Sequence, residues 1–142
     1  MSGGAWTGPA EALRARVAVD LGGVWSLTYA AEIGALKLAQ LPGADEDFAL
    51  TAAAADLGDA VDALETVAPD APRTGLVVDF GDAPLDEVQA CRTALAGLIL
   101  SALATLGQAA TRPGLEPAVI AASGSALARL TSAYWRITGT LP

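Results

Sequence analysis

The sequence has no histidine, a single cysteine and a single lysine. Without histidine there is no imidazole general base, no Ser-His-Asp or Cys-His nucleophile system, and no Glu-x-x-His di-iron site. Cys91 alone forms neither an intrachain disulfide nor a thiolate metal cluster, and a reducing cytoplasm fits that usage. Aromatic residues are scarce, at 5%, so the core is built from many small contacts around few large anchors. Basic residues are also scarce: 8 against 16 acids gives a net charge of -8, which repels nucleic-acid phosphates and anionic membrane surfaces. No G-x-x-x-x-G-K-[ST] or post-strand G-x-G-x-x-G occurs around Gly75, Gly81 or Gly97, and Ser123-Gly124-Ser125 lacks the strand of a nucleophile elbow. No cofactor is implied.

What is present is alanine and helical periodicity. Hydrophobic residues make up 53% of 142 residues, which excludes wholesale disorder and suits one domain with a real core. Alanine is the strongest helix former. Lys37 against seven arginines, together with the alanine richness, points by association to a GC-rich bacterial genome.

The most distinctive stretch is Thr93–Thr111, which carries no charge. Leu95, Leu98, Ile99, Leu103 and Leu106 recur at helical spacing, with Gly97, Ser101, Ala102, Ala104 and Thr105 between them. Such a helix has a bulky face and a flat face, neither suited to water. It approaches the length of about 20 residues that a membrane span needs. Gln108, the threonines, and the lack of flanking basic or aromatic belts argue against a span. No secretory leader is expected, because the apolar run Val17–Ala31 is interrupted by Asp20.

The pattern predicts an all-α fold: a four-helix bundle over 9–40, 44–68, 84–111 and 116–138, with a long, partly extended connection between helices 2 and 3. Residues 1–8 read as a disordered lead-in, and 9–142 as a single helical domain. The first helix has a seam of Val17, Leu21, Val24, Thr28, Ala31, Ala35 and Leu38 and a second stripe of Trp25, Tyr29, Ile33 and Leu36. Gly22-Gly23 falls mid-helix, as a kink or close crossing. The second helix, opened by the acids Asp45–Asp47, buries Leu50, Ala54, Leu57, Val61, Leu64 and Ala68. Pro69–Pro84 forbids helix through most of its length and holds the one strand-like run, 76–80. The fourth helix shows the stripe Ile120, Leu127, Leu130, Tyr134 and Ile137.

Five features carry possible chemistry. Asp56, Asp59, Asp62 and Glu65 form an acidic face suited to solvent or a basic partner; the side of a helix does not wrap a calcium ion. Asp20, amid apolar residues, needs a partner such as Arg16 or Arg92. Cys91 lies beside Arg92, which would lower its pKa, although a buried inert thiol is the commoner arrangement. Trp25, Tyr29, Tyr134 and Trp135 would cluster if the first and fourth helices are neighbours, in the core or around a ligand. Gly97, Leu98, Ser101 and Ala104, with Val77, Val78 and Phe80, form the expected interface. These features favour a non-catalytic assembly or adaptor protein, a homodimer or a complex with another protein. A carrier of an apolar small molecule comes next, and an enzyme without a cofactor third.

Overall fold

The computed structural model describes residues 4–142, and it is all-helical, with no strand among them. Six helices follow in order: α1 Thr7–Arg16, α2 Leu21–Ala39, α3 Ala49–Val67, α4 Ala71–Thr74, α5 Val88–Ala110 and α6 Pro117–Thr138. A 3-10 turn, Leu85–Glu87, leads into α5.

The expected helix over 9–40 is two helices. Asp20 adopts an extended conformation and its Oδ1 accepts the Gly23 N–H at 2.8 Å, so it caps α2 instead of sitting buried inside one long helix. Gly22-Gly23 is therefore the first turn of α2. A Cβ on Gly23 would lie 1.8 Å from the Ala18 carbonyl oxygen, so the corner between α1 and α2 closes only around glycine.

The expected lead-in, 1–8, falls partly on described residues. Residues 1–3 lie outside the described residues, but Trp6 is 1% exposed and stacks on Phe80 with ring centroids 5.0 Å apart. With Ala10 and Leu13 it forms the buried stripe of α1, at the four- and three-residue steps of one helix face.

Of the expected α3 seam, Leu50, Ala54, Leu57, Val61 and Leu64 are buried, whereas Ala68 is the C-cap past the helix end and only partly buried. Its helix begins at Ala49 rather than 44, because Asp45 turns back onto it. Asp45 accepts the Leu50 and Thr51 N–H groups at 2.7 and 3.1 Å, while Phe48 takes a left-handed conformation with φ 59°.

Residues 76–80 form no strand. Leu76 is tied to α2 through its N–H, which donates to Ser26 Oγ at 2.9 Å, and Phe80 is buried.

The long helices pack as α2 on α3, α3 on α6, α6 on α5 and α5 on α2, while α1 lies on α5. Each of these four pairs is antiparallel. The start of α2 meets the end of α3 through Trp25 and Glu65, and α6 ends beside the start of α3, where Trp135 and Phe48 share a cleft. Arg92 near the start of α5 bonds Ile137 at the end of α6, and Arg112 past the end of α5 bonds Val19 just ahead of α2. The enclosed core is fully apolar at Val24, Leu27, Leu38, Leu57, Leu95, Leu98, Ile99 and Leu130.

In α6 the expected single stripe divides into two. Leu130 and Ile137, with Ala126 and Ala133, face the core, whereas Ile120 and Leu127 are 58% and 48% exposed.

Candidate functional site

The acidic face of α3 does not stay acidic. Asp56 is 5% exposed and lies under α6. Its Oδ2 accepts Ser132 Oγ at 2.7 Å and Arg136 Nε at 2.8 Å, and its Oδ1 faces Arg129 Nη1 at 3.4 Å. Arg129 also reaches Asp59, at 3.7 Å. The seven-residue spacing of Arg129 and Arg136 sets both on the α3 side of α6, so the basic partner of Asp56 and Asp59 is α6 of the same chain. A buried carboxylate satisfied in this way is a structural clamp.

Glu65 faces α2, where its Oε2 accepts the Trp25 indole N–H at 2.9 Å. Glu32 of α2 shares that flank. Burial raises its carboxyl above the ordinary 4.5, and the neighbouring charges of Asp62 and Glu65 add to the effect. Asp59 and Asp62 remain the solvent-facing members of the expected stripe, and no group of metal-binding side chains occurs among the described residues.

The four aromatics expected to cluster lie at opposite ends of the helices. Trp25 and Tyr29 stack with centroids 4.9 Å apart near the start of α2. Tyr134 and Trp135 lie near the end of α6, where Tyr134 is half-buried and Trp135 is 52% exposed. They line no common cavity.

The expected interface divides as well. Leu98 and Phe80 are buried within the chain and Val78 is partly buried against its core. Gly97 and Ser101 are covered by α1: Arg14 Nε donates to Ser101 Oγ at 2.7 Å, and a Cβ on Gly97 would lie 3.2 Å from Arg14 Nη1. Only Ala104 and Val77 remain exposed. The helix Leu85–Ala110 is long and apolar enough to cross a membrane, yet it is the one wrapped by α1, α2 and α6.

Outside those expectations, α5 and α6 present an apolar outer face. Leu100, Ala104 and Gly107 on α5 and Ile120, Gly124 and Leu127 on α6 are all exposed. Between them runs a groove of about 180 Å3, walled by Leu106, Gly107, Ala110, Ile120, Gly124 and Leu127. No atom stands within 4 Å of where a Cβ would project from Gly107 or Gly124. The sequence signal for this face was the charge-free run of α5 followed by a second charge-free run, Pro117–Ala128.

Cys91 is buried at 1% exposure, and its thiol is pushed up by burial and by the charge of Glu87. The expected lowering by Arg92 does not occur, because that guanidinium turns to the Ile137 carbonyl, at 2.9 Å from Nη2.

No protein-family model, curated protein or solved structure matches the chain.

Proposed function

We propose that this protein is a non-catalytic assembly or adaptor module that acts through the outer face of α5 and α6, with a second copy of itself as the partner. The architecture inferred with this reading is a four-helix bundle of α2, α3, α5 and α6. Residues 68–87 serve as the long connection, and α1 is an added helix.

The observation that carries the reading is the exposed seam Ile120–Gly124–Leu127. Its four- and three-residue steps are those of a helix that packs on another helix. An antiparallel crossing of two copies at Gly124 sets Ile120 of one against Leu127 of the other, a self-complementary contact of the kind that closes a twofold dimer. The seam carries no charge, so two chains of net charge -8 can approach there without adding repulsion at the contact. Apolar patches of this continuity mark contact surfaces.

Sedimentation or native mass spectrometry at tens of micromolar tests the proposal. The expected result is a dimer that Leu127→Asp converts to a monomer with unchanged helical circular dichroism. A wild-type chain that stays monomeric under those conditions overturns it.

A further inference from the structure

We propose that the cleft between the start of α5 and the end of α6 binds a small organic monoanion, a carboxylate with an apolar tail. The cleft has a volume of about 700 Å3, within the range of about 300–1,000 Å3 typical of ligand pockets. It lies at the opposite end of α5 and α6 from the groove beside Gly107 and Gly124. The proposal therefore stands independently of the assembly face.

Arg92 supplies the charge. Its Nε and Nη2 both donate to the Ile137 carbonyl, at 3.2 and 2.9 Å, which caps the end of α6. A guanidinium has five N–H donors, so capping leaves three unused. No carboxylate among the described residues pairs with it, in a chain with twice as many acids as bases. Arg136, also in the wall, is already neutralised by Asp56 at 2.8 Å. Arg92 is thus the cationic group the cleft offers to a ligand.

The start of α5 borders the same cleft. Val88 and Gln89 line the cleft, and α5 has no side-chain cap at its first turn. The Glu87 carboxylate that stands at that position accepts the Ala5 N–H at 2.9 Å instead. The Glu87 carboxylate keeps its charge at that end of the helix but does not line the cleft, so the attraction for an anion rests on Arg92.

The rest of the wall mixes polar groups, among them Gln89, Thr93 and Thr138, with apolar ones. Ala44, Val88 and the Tyr134 ring are partly exposed and offer a hydrocarbon tail its contact, with Ala96 and Ile137 buried behind them. Asp47 stands exposed on the rim, its Oδ1 engaged by the Ala49 N–H at 3.2 Å. One carboxylate at the mouth opposes a multiply charged phosphate more strongly than a single carboxylate.

Titration calorimetry of the full chain with octanoate, octan-1-ol and inorganic phosphate tests the proposal. Octanoate is expected to bind saturably, and the alcohol and phosphate at least about tenfold more weakly. Arg92→Gln is expected to weaken octanoate by at least about tenfold. Thr93→Phe, at an exposed cleft position away from the core, is expected to block the cleft while leaving Arg92 intact. Thermal unfolding establishes that each variant is folded, and if Arg92→Gln is not, the alcohol comparison and Thr93→Phe decide. The proposal is overturned if octanoate shows no saturable binding at millimolar concentration, if octan-1-ol binds as well as octanoate, or if either folded variant binds like the wild type.

Discussion

Asp56 of α3 and Arg136 of α6 stand eighty positions apart in sequence and meet at 2.8 Å beneath the helix surface. The carboxylate is 7% exposed in its side chain, and the arginines that hold it are 37% and 50% exposed for Arg136 and Arg129. The partners therefore differ in value. Asp56→Ala leaves Ser132 and Arg136 without their acceptor and is expected to cost about 2–3 kcal/mol in chemical denaturation. Arg129→Ala removes a half-solvated contact at 3.4 Å and is expected to cost less than about 1 kcal/mol. Equal losses for the two variants would mean that the clamp does not depend on the buried carboxylate.

Both halves of this clamp were legible in sequence, but their meeting was not. Arg129 and Arg136 share a face by spacing alone, and Asp56 belongs to a run of acids three apart. Carboxylates at that spacing drift around the helix, by about 60° at each step, so the run cannot all face one way. Periodicity does not say which member turns inward. In α6 a similar ambiguity merged two faces: Leu130 lies ten positions beyond Ile120, about 80° around the helix. The seam of α3 was readable because its large residues keep to one stripe with small or polar residues elsewhere, whereas in α5 Leu100 departs from the stripe and lies exposed. The break between α1 and α2 was not, because the apolar pattern continues across Asp20. There a local cap competes with helix continuation and wins, through a glycine whose need is set by the Ala18 carbonyl.

That corner gives a direct comparison of adjacent glycines. A Cβ on Gly23 would meet backbone at 1.8 Å, whereas one on Gly22 would meet only Asp20 Oδ1, at 3.3 Å. Gly23→Ala is expected to destabilise by about 1–3 kcal/mol, since the corner must open. Gly22→Ala is expected to be near neutral, the gain in helix propensity offsetting a slight displacement of the cap. Urea unfolding of the two variants checks the order, and a smaller loss for Gly23→Ala would show that the corner is pliable.

Glu32 supplies a pH dependence of defined sign. Its carboxyl is raised above 4.5 in the folded chain, by burial first and then by Asp62 and Glu65. The folded state therefore holds this proton more tightly than the unfolded state does, and ionising the group opposes folding. The penalty is fully present above the raised folded value and vanishes as the pH falls below 4.5. Glu32→Gln is expected to raise Tm at pH 7 and above, with the gain shrinking as the pH falls through that window. A gain that persists unchanged at pH 4 would assign the effect to something other than the charge.

Trp6 tests how firmly α1 is held. It is 1% exposed, stacks on Phe80, and its indole N–H has no hydrogen-bond partner among the described residues. Trp6→Phe keeps an aromatic ring and removes the unpaired donor, so it is expected to cost well under the about 3–5 kcal/mol expected for Trp6→Ala. Equilibrium unfolding of both variants separates ring packing from the polar group.

Cys91 reports on the start of α5 without any substitution. The thiol is 1% exposed and its pKa is raised by burial and by Glu87, so both access and thiolate fraction are low in the folded chain. Reaction with a disulfide reagent at pH 8 is expected to be slower than that of a free thiol by orders of magnitude. In urea its rate is expected to follow the global unfolding equilibrium. If labelling instead proceeds at low urea with a shallow denaturant dependence, the first turns of α5 open locally while the rest stays folded. Slowing of that local opening by octanoate would further connect the mobility of this end of α5 to the cleft beside Arg92.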